Sequence, residues 1–226
     1  MKDKIDFNIA GKAVTLYAAD RENSPLIVLN NYSDNGSSVV QAMKDIGCGD
    51  LSLVSVGSLQ WNHDMTPWYC PPFGRDDMPY TGGADEYLNV LLDDILPEIL
   101  ARLPGAPSFT GIAGYSLAGL FALYATYHTD RFFRVASMSG SLWYPEFREY
   151  ASSHEMSRIP DRLYMSLGDR EARTRNPVLK TVQDNTEYLA GYYRDKGINT
   201  IFELNDGNHF KDAALRSAKG IAAIIG

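Results

Sequence analysis

One join restricts the fold of this chain more than any other feature. Residues 109–115 read as a short strand and residues 117–127 as an apolar helix that follows with no spacer. The stretch is Gly111-Ile112-Ala113-Gly114-Tyr115-Ser116-Leu117-Ala118-Gly119-Leu120-Phe121-Ala122. A strand that becomes a helix within one residue forces the turn residue into a strained conformation with its side chain above the sheet. Small neighbours on either side must then let the helix pack close. Ser116 holds the turn position. The strict pattern is GxSxG; here Ala118 replaces the second glycine and Gly119 comes one later, and alanine is small enough to serve.

The rest of the chain builds a sheet around that join. Val14 with Leu16, and residues 26–29, 51–56, 133–138, 163–167 and 198–204, read as strands. The run 26–29 is apolar throughout, as expected of a strand buried on both faces. Apolar residues spaced by three and four, from Tyr87 to Ile99, predict an amphipathic helix from Ala84 to near Pro104-Gly105; further helices are expected over 178–193 and 213–225. Strands alternating with helices predict an α/β fold, a mostly parallel, doubly covered sheet. At 226 residues, 45% hydrophobic and 22% charged, the chain fits one domain spanning 1–226 without a large cap domain. Residues 57–83 carry four prolines and several aromatics without a steady period, which predicts a long loop over the site-bearing edge.

A formal net charge of −7 argues against nucleic acid or an anionic membrane as partner, since either needs a basic face. The charged start Met1-Lys2-Asp3-Lys4-Ile5-Asp6 precedes no apolar run of signal-peptide length, and no stretch reaches the roughly 18 apolar residues of a membrane span. A soluble, cytoplasmic protein is therefore expected. Cys48 and Cys70 lie in no CxxC or Cys/His cluster, so they read as free thiols and no metal site is expected.

Serine is weakly nucleophilic near neutral pH and needs a base and a group that orients the base. For a strand–serine–helix turn the chain order is serine, acid, histidine. His209, in Asp206-Gly207-Asn208-His209-Phe210, follows the last strand and precedes the last helix, where a loop reaches the serine. His63 and His154 lie in polar loop surroundings and His128 ends the helix after Ser116, so these suit surface or capping roles. The acid is expected after the strand ending at Leu167, in Gly168-Asp169-Arg170-Glu171. Glu171 is favoured and Asp169 is the alternative, because Asp169 directly after the strand also suits a turn or cap. Oxyanion donors are expected from the Leu117 N–H at the helix start and from an N–H near Asn31 or Tyr32, in the loop Asn30-Asn31-Tyr32-Ser33-Asp34-Asn35-Gly36.

Several blocks in order make the sequence resemble the putative-esterase branch of the α/β-hydrolases, which includes enterochelin (trilactone siderophore) esterases and esterase-D-like enzymes. They are Gly114-Tyr115-Ser116-Leu117-Ala118-Gly119, Asp64-Met65-Thr66-Pro67-Trp68, Gly82-Gly83-Ala84-Asp85-Glu86-Tyr87-Leu88, Ser139-Gly140-Ser141-Leu142-Trp143-Tyr144, Gly168-Asp169-Arg170-Glu171-Ala172-Arg173-Thr174 and Gly207-Asn208-His209. The resemblance covers most of the chain after about Pro25. It implies an α/β-hydrolase fold and serine-dependent ester hydrolysis without metal or organic cofactor, with Ser116 and His209 matching nucleophile and base. Two departures are visible. Asn31 stands where many members have glycine, and the N-terminal binding domain of the larger enterochelin esterases is not present in this sequence.

Trp61, Trp68, Tyr69, Phe73 and Tyr80 crowd the segment 57–83, and Trp143-Tyr144 follows a strand at the same edge. Trp68, Trp143 and Tyr144 are candidates for an apolar wall, and Arg173, with Arg175, for an anionic part of the substrate. An ordinary alternative is that the tryptophans pack the long loop down. The expected partner is thus a small-molecule ester, aromatic or anionic. Acyl transfer to another acceptor, thioester or peptide hydrolysis, and a non-catalytic binding module on the same scaffold are the rival readings.

Overall fold

A computed structural model describes residues 4–32 and 35–226. The charged start 1–3, and Ser33 and Asp34 of the loop singled out above, lie outside the described residues. Alternating side chains make Ile5–Ile9 (β1) and Lys12–Tyr17 (β2) an antiparallel hairpin, turned at Ala10 and Gly11 with φ of 50° and 77°. The sequence pattern showed only the second of these strands, because β1 is a half-exposed edge rich in polar residues.

The other strands are Leu26–Asn30 (β3), Ser52–Gly57 (β4), the short pair Tyr69–Cys70 (β5) and Tyr80–Thr81 (β6), then Thr110–Tyr115 (β7), Arg134–Met138 (β8), Arg162–Gly168 (β9) and Thr200–Asn205 (β10). Eight of them form one sheet in the order β1-β2-β4-β3-β7-β8-β9-β10. From β4 to β10 every pairing is parallel, while β1 and β2 join antiparallel at one edge.

Helices cover both faces. Ser37–Asp45 (α1) and Ala213–Ile225 (α7) pack on one side, over Ile27, Leu29, Ala113 and Met138. On the other lie Ala84–Asn89 (α2), Leu96–Leu100 (α3), Leu117–His128 (α4), Phe147–Ser153 (α5) and Val182–Asp195 (α6), over Val28, Val54, Ile112 and Val135. Between α2 and α3, Val90–Ile95 is wound as a π-helix. Pro97 has no N–H for the Asp93 carbonyl and its ring crowds that oxygen, which disfavours a regular α-turn there. Helix α4 is buried at every position from Leu117 to Tyr127, which explains why its sequence has no polar stripe. No helix among the described residues is long and apolar enough to cross a membrane.

The segment 57–83 is more ordered than its sequence suggests. It contains the one-turn helix Trp61–Asp64 and the β5–β6 ribbon, and a buried ion pair from Lys12 of β2 to Asp64 pins it to the sheet. The sheet's layout also fixes where a site can form. β3 lies between β4 and β7, so the chain leaves β3 toward one edge and returns on the other side. The carboxyl ends of β3 and β7 therefore flank the crevice of a topological switch point.

Candidate active site

Ser116 is the single residue between β7 and α4, with φ 61° and ψ −126°. Its backbone is held there by bonds on both sides: its N–H donates to Met138 O at 3.1 Å, and its carbonyl accepts from the N–H groups of Gly119, Leu120 and Ser141 at 3.0–3.2 Å. Gly114 permits the turn, because a Cβ there would lie 2.2 Å from the Ala118 carbonyl oxygen. Gly119 fills the second close approach, where a Cβ would meet Ser137 Oγ at 2.9 Å and Gly140 Cα at 3.0 Å. The glycine displaced by one position thus has its own packing reason, and Ala118 fits beneath the turn fully buried.

Three loops at the carboxyl edge bring the polar partners together. His209, in the loop after β10, places Nε2 at 3.0 Å from Ser116 Oγ. Its Nδ1 lies 2.7 Å from Glu171 Oε2, in the loop after β9. With Glu171 ionised, Nδ1 carries the proton and Nε2 accepts the serine hydroxyl. The Glu171 side chain is 4% exposed. Its other oxygen accepts from Gly168 N at 2.7 Å, Ser139 Oγ at 2.8 Å and Arg216 Nη1 at 3.2 Å. Burial pushes this carboxyl upward, but the hydrogen bond and charge of His209, with the Ser139 and Gly168 donors, outweigh it and hold the group below its ordinary value.

Asp169, the alternative acid, is turned elsewhere. Its Oδ1 accepts the Gly207 N–H at 2.7 Å and pairs with Arg170 at 3.4 Å, the turn-bracing role that its place at the strand end suggests. The remaining histidines are also away from Ser116: His63 bonds Thr81, His128 bonds Tyr150, and His154 bonds Ser153 and the Tyr150 carbonyl. Among the described residues no cluster of His, Cys, Asp or Glu could hold a metal ion.

The expected oxyanion donors need correction at both loop positions. Asn31 cannot offer its backbone N–H, which donates to Val56 O at 2.9 Å as the parallel pairing of β3 with β4 runs one residue further. Tyr32 N–H donates to the Asn31 side-chain oxygen at 3.1 Å, so it too is committed, whereas Leu117 N–H stands at the start of α4 with no described acceptor. Both residues line the cavity above Ser116.

That cavity measures about 790 Å³. Its walls include Tyr32, Trp61, Tyr80, Trp143, Leu179 and Phe210, and no lysine or arginine among the described residues lines it. Trp143 stands where expected. Trp68 and Tyr144 do not reach the cavity: the Trp68 indole donates to Pro145 O at 3.0 Å and packs on Tyr124, Tyr144 and Tyr150, while Tyr144 is buried with its hydroxyl on the Trp68 carbonyl. They hold down the segment 57–83, the packing role that aromatic residues commonly take. Arg173 is also misplaced as a substrate ligand. It is exposed and lines a separate depression with Arg170, Asn208 and Lys211. Leu179, Val182 and Phe210 were not foreseen as walls, since nothing local marks a residue whose neighbour is distant in sequence. Arg216 is the other surprise; its only signal is an arginine in a mostly apolar helix that also carries Ser217 and Lys219.

A family model described as Putative esterase matches residues 42–211, most of the chain. The uncharacterized protein YbbA of Bacillus subtilis is 23% identical over 192 residues, which cover 80% of this chain and 75% of that protein. The siderophore enterobactin esterase of Emericella nidulans is 33% identical over 133 residues, 52% of this chain but only 44% of its own length. Among solved structures, the siderophore hydrolase EstA from Aspergillus nidulans superposes with a TM-score of 0.80 at 18% identity, over 99% of this chain and 95% of that one. The likeness places the sheet and its helices in the α/β-hydrolase fold.

Proposed function

This chain belongs to the putative-esterase family and is a hydrolase, and we propose that it cleaves a neutral, aromatic or bulky apolar small-molecule ester through an acyl-enzyme on Ser116. The observation that carries the proposal is the unbroken contact from Glu171 through His209 to Ser116, at 2.7 and 3.0 Å.

The steps follow from that contact. Ser116 Oγ bonds to the ester carbonyl carbon while its proton passes to His209 Nε2. Glu171 orients the imidazole and offsets the charge it gains. The tetrahedral oxygen faces the Leu117 N–H, aided by the positive end of α4. Collapse breaks the bond to the alcohol oxygen, which leaves with the proton from His209. Water then attacks the acyl carbon, giving a proton to His209 that returns to Ser116 Oγ as the acid departs. The net change is ester plus water to acid plus alcohol.

The walls guide the substrate class. Aromatic and aliphatic side chains suit an apolar acyl group, and the want of a lysine or arginine among the described lining residues disfavours an anionic one. An adjoining cavity of about 560 Å³ shares Asn62, Tyr80 and Leu179 with the first and gives room for the alcohol portion. The siderophore enterobactin esterase among the relatives supports a small-molecule ester as the substrate. Free Cys48 and Cys70 support a reducing, cytoplasmic location, which fractionation would test.

Purified protein should hydrolyse p-nitrophenyl acetate, prefer neutral aromatic esters to carboxylate-bearing ones of equal size, and take a fluorophosphonate label at Ser116. Unchanged turnover in Ser116→Ala would overturn the proposal.

A further inference from the structure

One buried charge touches neither the cavity nor Ser116. Arg216, on the first turn of α7, is 2% exposed and is among the largest fully buried side chains. Its guanidinium donates to four oxygens on four segments of the carboxyl edge: Tyr115 Oη at 3.2 Å, Ser139 Oγ at 3.2 Å, Glu171 Oε1 at 3.2 Å and the Asp206 carbonyl at 3.1 Å. These follow or end β7, β8, β9 and β10 in turn. A buried arginine is a poor source of stability compared with an apolar side chain of similar volume, so so many directed bonds point to a positional task.

The bonds sort into two groups. Glu171 Oε1 is shared by Arg216, Ser139 and the Gly168 N–H, which leaves Oε2 facing His209. The other group reaches the histidine's own loop. Arg216 holds the Asp206 carbonyl three residues before His209, and it also donates to Tyr115 Oη, whose proton goes to the His209 carbonyl at 2.8 Å. One planar group therefore ties the acid's rotamer and the base's main chain to the strand that carries Ser116.

Resting on the proposed roles of Ser116, His209 and Glu171, we infer that Arg216 is a positioning residue that keeps the imidazole aligned between Glu171 Oε2 and Ser116 Oγ. It acts through Glu171 and the 206–209 loop and touches no substrate. A displacement of about 1 Å at such a contact costs about a hundredfold in rate.

The test is a double-mutant cycle in kcat and KM. Arg216→Met should lower kcat about a hundredfold with KM unchanged, since it removes no cavity wall. Arg216→Lys should recover part of the loss. In a Glu171→Gln background, where the acid no longer acts, Arg216→Met should cost only the severalfold share that runs through the 206–209 loop. Tyr115→Phe, which removes the hydroxyl bridging Arg216 and the His209 carbonyl and leaves the contacts of Glu171 in place, should lower kcat severalfold and serves where Arg216→Met does not fold. Equal losses in both backgrounds, a loss confined to KM, or full activity in Arg216→Met would overturn the inference, as would failure of all three variants to fold. Full activity of Ser116→Ala or Glu171→Gln would instead overturn the ester mechanism on which the inference rests, so the two failures are distinguishable.

Discussion

At the scale of single residues, the site concentrates strain and charge where the chemistry needs them. Ser116 sits at φ 61°, a backbone state that costs about 1–3 kcal/mol for a residue with a Cβ and persists because surrounding bonds over-determine it. Ser116→Ala keeps that backbone, so its melting temperature should match the parent while kcat falls at least about a thousandfold; a melt and an ester assay on the same sample check both. Glu171 carries a pH-dependent share of stability. Its carboxyl is held below the ordinary value in the folded chain, so the unfolded chain binds the proton more readily. That stability is present above the ordinary carboxyl range and is lost as pH falls through the folded value. Melting temperatures measured from neutral pH down into that range should fall, and the fall should be shallower in Glu171→Gln, which lacks the titrating group.

At the scale of elements, two glycines in regular structure give opposite expectations. Gly114, near the end of β7, would place a Cβ at 2.2 Å from Ala118 O and 2.3 Å from its carbonyl carbon, both backbone atoms that cannot swing aside. Gly114→Ala should destabilise by about 1–3 kcal/mol and displace the serine turn, lowering activity as well. Gly191, inside α6, has open space where its Cβ would go. Gly191→Ala should stabilise by about 0.5–1 kcal/mol through helix propensity and leave turnover alone. Denaturant titration of both variants distinguishes a glycine required by packing from one merely tolerated. Elements also differ in how plainly they are written. The helix before Pro104-Gly105 was legible from spacing, but its π-wound middle was not, because that distortion depends on how the turn before Pro97 accommodates the ring. The edge strand β1, helix α1 and short helix α5 went unforeseen, since each is brief and carries too few apolar residues for periodicity to show.

At the scale of the whole molecule, the buried Lys12–Asp64 pair joins the antiparallel edge to the helix that carries Trp61 and Asn62 into the cavity wall. Asp64 also accepts the Gln60 N–H at 2.9 Å, so it fixes the start of that helix. Lys12→Met leaves a buried carboxylate without its cation and should cost about 3–5 kcal/mol. Its kinetic mark should be a raised KM with kcat little changed, the reverse of the pattern expected for Arg216→Met, because a wall moves while the contact from Glu171 to Ser116 does not. The sequence alone determined the alternation of strands and helices, the one-residue turn at Ser116 and the order in which serine, carboxylate and histidine appear. These are local or ordinal properties, carried by side-chain spacing and by the small residues a tight turn demands. Only the tertiary structure decided that Glu171 rather than Asp169 meets His209, that the Asn31 N–H is spent on Val56, that Trp68 and Tyr144 pack beneath the wall, and that an arginine on the last helix reaches the carboxyl ends of four strands. Each of those outcomes is a competition among polar groups for partners far away in the chain, settled by which atoms the packed sheet and helices bring within hydrogen-bond distance.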